Sequence, residues 1–264
     1  MERMSDYKHA VEVCCDTLDL INSAVNAGAS RIELCGDLSV GGITPSEDLY
    51  TEARELLRRK GRADVPIFVM IRVRSGDFVY TDHEFETMLA QARRFIELGA
   101  DGLVFGCLTR EGEVDLRRLG SFLDTVPAHI SVTFHRAIDE TSVYESAARR
   151  LIDWIYERNL APESEPKGAT IQRILTSGGF PTAPEGAEAI WRAIQYSDEK
   201  YNNLKPSHSH IRRLIIMPGA GIRTSNLEEL LRITRATEIH GSFRGCLSDC
   251  IRICEHYWSA PQTP

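Results

Sequence analysis

Two short apolar runs carry the same pair of reactive groups at the same spacing. VEVCC, residues 11–15, holds Glu12 and Cys14, and RIELC, residues 31–35, holds Glu33 and Cys35. Residues two apart on a strand share a face, so each run presents a carboxylate beside a thiol. Thiolates are soft ligands that select Cu(I) or Zn, and adjacent strands lie about 4.8 Å apart, so Cys14 and Cys35 could reach one ion. A buried cysteine that acts only as a small hydrophobe is the plain alternative. Other runs end in further groups of this kind: Thr133 with His135, Glu238 with His240, and Met70, Arg72 and Arg74 on one parity. Burying Glu12, Glu33, Arg72, His135 and His240 together requires that they pair or bind something, because breaking a buried pair costs about 3 to 5 kcal/mol. Two chemistries fit this set. One is metal binding by Cys14 and Cys35, with help from His135 or His240. The other is acid–base work on a small anionic compound, with Glu12, Glu33 or His135 as proton carriers and Arg72 as the clamp. A self-contained network of Glu and Arg that merely fills the interior is a third reading.

Three glycine-bearing loops add candidate anion sites. SVGGITPSEDL supplies Gly41 and Gly42 ahead of Pro45 at a helix start, TSGG (176–179) supplies Ser177 and Gly178, and MPGAGI (217–222) supplies Gly219 and Gly221. Each could turn backbone N–H groups toward a phosphate or carboxylate, or could simply turn the chain. Lysine is informative by position: Lys8, Lys60, Lys167, Lys200 and Lys205 all fall outside the apolar runs. A Schiff-base nucleophile on a strand is therefore excluded.

The elements that must position these groups alternate along the chain. Apolar runs at 11–15, 31–35, 67–73, 102–108, 130–137, 173–178, 214–221 and 238–243 are separated by amphipathic stretches. The predicted helices are Thr17–Ala27, Ser46–Lys60, Asp82–Leu98, Asp115–Thr125, Ser142–Arg158, Pro184–Tyr196 and Thr224–Arg235. Eight βα units in succession predict a single-domain (β/α)₈ barrel over residues 1–264, with a doubly wound open sheet as the competitor. In a barrel these parities point Glu12, Cys14, Glu33, Cys35, Thr133, His135, Glu238 and His240 inward, toward the C-terminal mouth where such folds hold their sites. Residues 159–170 and 197–210, rich in Pro, Ser and charge, read as exposed loops at the opposite face.

Composition narrows the partners. A net charge of −7 over 264 residues argues against nucleic acid or an acidic membrane surface, which leaves a metal ion or a small anionic molecule. A homo-oligomer is compatible with everything in the sequence. No apolar leader and no span of about eighteen apolar residues is present, so a cytoplasmic protein is expected, with the nucleus also open to it. The seven cysteines are then expected to be free thiols.

From about Val11 to Ser242 the chain resembles the copper homeostasis protein CutC family. The resemblance rests on VEVCCDT, GASRIELCGDLSVGGITPS, VMIRVRSGDFVYTD, ADGLVFGCLTREGEVD, VTFHRAID, RILTSGG, IIMPGAGI and TEIHGS, in order and in register. It implies a TIM-type barrel and a role in copper homeostasis, with Cu(I) bound by Cys14 and Cys35. The patterned remainder, Glu12, Glu33, Arg72, Asp77, His135, Arg136, Asp139 and His240, looks like an active site, with Asp139 joining the candidate proton carriers and Asp77 and Arg136 the candidate anion-binding groups. Where the family reads Arg-Pro-Arg-Gly-Gly-Asp-Phe, this chain has Arg72, Val73, Arg74, Ser75, Gly76, Asp77 and Phe78. Its tail, residues 243–264, also diverges, and an atypical or shortened eighth helix is expected. Cys246, Cys250 and Cys254 lie four apart there, with His256 nearby. The stronger reading is an apolar stripe of Leu247, Ile251, Cys254 and Trp258 that docks in place of that helix.

Overall fold

Helix caps and apolar runs divide the chain as the alternation predicts. A computed structural model describes residues 9–160 and 168–260. The strands are β1 Ala10–Cys15, β2 Arg31–Leu34, β3 Ile67–Met70, β4 Gly102–Phe105, β5 Ser131–Phe134, β6 Ile171–Thr176, β7 Ile215–Pro218 and β8 Glu238–Gly241. Between and after them run α1 Leu18–Ala27, α2 Glu47–Arg59, α3 Asp82–Glu97, α4 Leu116–Thr125, α5 Tyr144–Leu160, α6 Ala187–Leu204, α7 Thr224–Thr234 and α8 Leu247–Ser259. Hydroxyl caps start the early helices: Thr17 accepts from the Leu20 amide at 3.3 Å, and Thr81 and Glu84 form a reciprocal capping box. Gly28, at φ 95°, ends α1 in the left-handed conformation that a side chain would resist.

All strands are parallel, in the spatial order β7-β6-β5-β4-β3-β2-β1-β8. One parallel bridge between Gly219 and His240 joins β7 to β8 and brings the sheet round into a TIM-type barrel. Glycine keeps that seam close, because a Cβ at position 219 would come within 2.5 Å of Leu175 Cδ1 and displace that side chain. The outward strand residues, among them Val11, Val13, Ile32, Leu34, Val69, Leu103 and Phe134, form the main core against the helices. A second, smaller cluster of Cys35, Phe68, Met70 and Val104 lies inside the barrel.

Two details differ from the sequence reading, and a third follows it. First, α6 does not stop at Tyr196 but runs on to Leu204, so half of the polar stretch 197–210 is helical. The cause is a stripe that continues through Ile190, Ile194, Ser197 and Tyr201, with the buried Ser197 hydroxyl donating to the Leu214 carbonyl at 3.2 Å. Second, β3 ends at Met70, so strand parity stops there. Arg74 sits in the following loop and pairs with Glu84 at 2.6 Å and Asp77 at 3.0 Å instead of pointing inward. Third, the apolar stripe of the divergent tail docks as expected, in a thirteen-residue α8 that packs between α7 and α1. It buries Cys250, Ile251 and Cys254, and the Trp258 indole N–H donates to the Ala236 carbonyl at 3.0 Å. Of the other polar stretch, residues 161–167 lie outside the described residues. No described helix is long and apolar enough to cross a membrane.

Candidate functional site

Register builds the site. Cys14 of β1 lies opposite Glu33 of β2, and Glu12 of β1 lies opposite His240 of β8. Three adjacent strands therefore deliver a thiol, two carboxylates and an imidazole to one patch of the barrel interior. Ligand atoms of Cys14, Glu33 and His240 all lie within 4.8 Å of one another. The His240 ring spans the two glutamates, with Nδ1 2.7 Å from Glu12 Oε1 and Nε2 3.5 Å from Glu33 Oε2. Cys35 is not in this group. Its fully buried thiol donates to Glu33 Oε2 at 3.6 Å and backs the carboxylate from outside the cavity.

Beneath this patch lies an ion-pair ladder. The Arg31 Nε donates to Glu12, and its Nη2 donates to Glu238 at 2.6 Å. Arg173 Nε donates to the same Glu238 oxygen at 2.7 Å, and both guanidiniums lie over the Phe68 ring. Arg31 and Arg173 were not singled out in the sequence, although Arg31 shares the strand parity of Glu33. Burial opposes ionisation of Glu12, but Arg31 and the His240 ring outweigh it and hold the carboxyl far below the ordinary carboxylate range. Glu33 has no arginine bonded to it: burial dominates and pushes it up to about 7, with His240 opposing the rise and Glu12 adding to it. Burial also disfavours a charged His240, yet Glu33, Cys14 and Glu12 raise it well above an ordinary histidine.

A pH prediction follows for Glu12. A depressed pKa in the folded state stabilises the fold above the unfolded value of about 4.3, and that contribution is lost as pH falls below it. The difference in urea-unfolding free energy between wild type and Glu12→Gln is therefore expected to be greatest near neutral pH and to shrink steadily below about pH 4. A difference that grew on acidification would contradict the ladder.

Above the patch the barrel mouth opens into a cavity of about 910 Å³. Cys14, Glu33, Arg72, His135 and His240 reach it, together with the apolar groups Leu38, Met70, Phe78 and Leu175. Its wall also holds Arg110, Arg136, Arg223 and Arg244, against the carboxylates Asp77 and Glu140. No described lysine lines it. Arg72 is 5 % exposed, and its Nη atoms donate only to the carbonyls of Val40, Gly42 and Gly76, at 3.1, 3.3 and 2.6 Å in the order Gly42, Val40, Gly76. Among the described residues no carboxylate pairs with it. Its Nε, Glu33 Oε1, Thr133 Oγ1 and His135 Nε2 are all buried without a hydrogen-bond partner.

The glycine loops behave differently from one another. The amides of Gly41 and Gly42 bond to Leu38 and Asp37 within their own loop, whose carbonyls hold Arg72, so this loop offers its acceptors and not its donors. The TSGG loop does cradle an anion, but the anion is Asp139. Its carboxylate accepts from Ser177 N at 2.9 Å, Gly179 N at 3.0 Å, Thr176 Oγ1 at 2.6 Å and Arg136 Nε at 3.0 Å. Asp139, Ser177 and Gly178 consequently lie off the cavity, and Asp139 orders the loop from within. Gly219 closes the β7–β8 seam, whereas Gly221 lines the cavity beside Ala220, a non-glycine residue at φ 79°. Asp77 stands at the rim, paired with Arg74. In the tail, Cys246 and Cys250 have their sulfurs 3.6 Å apart, and the apolar stripe has packed into the core.

The sequence profile of the CutC family matches residues 9–245. A CutC family protein of Enterococcus faecalis is 34% identical over 233 residues, which are 88% of this chain and 97% of that protein. The human copper homeostasis protein cutC homolog is 37% identical over 234 residues, 89% of this chain and 73% of its own. Among solved structures, the CutC protein of Streptococcus agalactiae superposes with a TM-score of 0.71 at 28% identity, covering 89% of this chain and 99% of that one.

Proposed function

Because this chain belongs to the CutC family, we propose that it acts in copper homeostasis by binding Cu(I) at the barrel mouth through the Cys14 thiolate and the His240 imidazole. The observation that carries this reading is the clustering of Cys14, Glu33 and His240 within 4.8 Å, on a histidine whose other nitrogen is already bound to a carboxylate. A ligating imidazole is oriented in just that way by a carboxylate behind it, and Glu12, kept ionised by Arg31, is placed to do so. Sulfur and imidazole nitrogen suit Cu(I), while a carboxylate is a poorer ligand for it. Glu33 is better suited to receive the proton that Cys14 or His240 must give up on binding. Cys35, donating to Glu33, is a supporting thiol in this scheme. Free thiols throughout the described residues suit the reducing cytoplasm.

Competition between the protein and a Cu(I) chelator tests this. Wild type is expected to hold one equivalent, and Cys14→Ser to weaken it by at least about tenfold, since a soft ligand is replaced by a hard one. Cys35→Ser is expected to have the smaller effect. Equal affinity in wild type and Cys14→Ser would overturn the proposal.

A second reading is favoured by Arg72. A buried guanidinium that donates to carbonyls, lies over the Phe78 ring and pairs with no carboxylate among the described residues faces a cavity whose wall is rich in arginine. We infer that the cavity also admits a small anionic compound, on which Glu33 would act in acid–base chemistry beside His135.

A further inference from the structure

His135 is set apart from the other buried groups by the way its ring is fixed. The Ala137 amide donates to Nδ1 at 3.2 Å, which makes Nδ1 the acceptor and places the proton of the neutral ring on Nε2. The ring cannot turn over easily. Phe78 lies against it with centroids 4.9 Å apart, and Gly106 lacks a Cβ that would otherwise stand 2.5 Å from Nδ1. Nε2 is thus a committed N–H donor, 3 % exposed as a residue, lining the cavity and without an acceptor among the described residues. Burial, with Arg72 adding to it, lowers the ring to about 3, so it donates as a neutral group. Arg72 Nε is a second unsatisfied donor on the same cavity wall. The surrounding Phe78, Met70 and Leu175 can hold only carbon. The less deeply buried charges on that wall are the four arginines Arg110, Arg136, Arg223 and Arg244, which outnumber the carboxylates Asp77 and Glu140 there.

This division rests on the anion reading above and gives it a chemical class. We propose that the cavity binds a small carbonyl compound bearing a carboxylate or phosphate, with neutral His135 donating from Nε2 to the carbonyl oxygen beside Arg72. The arginines of the outer wall take the anionic end. A neutral imidazole N–H in a dry pocket is suited to a carbonyl oxygen on which negative charge develops, because it can stabilise that charge without surrendering its own proton first. A fully charged oxyanion gains more from guanidinium than from imidazole.

Calorimetry with 2-phosphoglycolate, whose carboxylate imitates a charged carbonyl oxygen and whose phosphate supplies the anionic end, tests the assignment. Wild type is expected to bind it, and His135→Leu to bind at least tenfold more weakly. His135→Gln, whose side-chain amide restores a donor near Nε2, should recover much of the loss. Long-range ¹H–¹⁵N spectra should show His135 as the neutral Nε2-protonated tautomer, with that resonance moving on addition of the probe. If wild type binds and Arg72→Met does not, but His135→Leu binds as well as wild type, the role given to His135 is wrong while the anion reading stands. If neither 2-phosphoglycolate nor malonate binds wild type, the anion reading fails and the assignment falls with it.

Discussion

Replacing Arg31 by methionine is expected to destabilise the fold by about 3 to 5 kcal/mol, a large part of the 5 to 15 kcal/mol available to a natural domain. Methionine fills similar space, so the loss is electrostatic. Among the described residues Arg31 is the one cation shared by Glu12 and Glu238, and both carboxylates are buried. Without it Glu12 keeps only His240, and Glu238 keeps only Arg173. Urea denaturation measures the effect. The triple variant Arg31→Met, Glu12→Gln, Glu238→Gln should recover a substantial part of the loss, because neutral amides tolerate burial better than unpaired carboxylates. If Arg31→Met is as stable as wild type, the ladder is not what supports the barrel interior.

The second large effect belongs to Arg72. Removing one charged partner from a buried ionic contact costs about 2 to 5 kcal/mol, so Arg72→Met is expected to weaken binding of 2-phosphoglycolate by about a hundredfold or more. Arg72→Lys should recover part of the affinity. It restores the charge, but a single ammonium cannot reach the carbonyls of Val40, Gly42 and Gly76 while also presenting an inward N–H, as the guanidinium does. Thermal-shift curves give a parallel readout: the probe should raise the melting temperature of wild type and leave that of Arg72→Met in place. Stabilisation of both proteins to the same extent would show that the anion binds elsewhere.

Much of this was legible in the sequence, and the rest was hidden for physical reasons. The side-chain period of two is robust on short buried strands, which is why Glu12, Cys14, Glu33 and His240 could be placed inside the barrel. Register between strands is not written in either strand alone. Expecting Cys14 to meet Cys35 was natural from two matching motifs, but pairing sets Cys14 opposite Glu33 and brings His240, from the far end of the chain, within 4.8 Å. Parity failed at Arg74 because the strand had already ended. Arg31 could have been found by the rule that located Glu33. Asp139 was named there as a proton carrier, and its actual role could not be read, since its place in the TSGG loop depends on β5 and β6 lying side by side. The α8 stripe was readable because Leu247, Ile251, Cys254 and Trp258 follow helical spacing within one segment.

The thiol and the imidazole carry the central claim, and X-ray absorption at the copper edge addresses them together. Protein loaded with one equivalent of Cu(I) is expected to show a first shell of one sulfur and one imidazole nitrogen, with the sulfur contribution lost in Cys14→Ser. A shell of two or three sulfurs that survives Cys14→Ser, as Cys246, Cys250 and Cys254 would supply, would contradict the account.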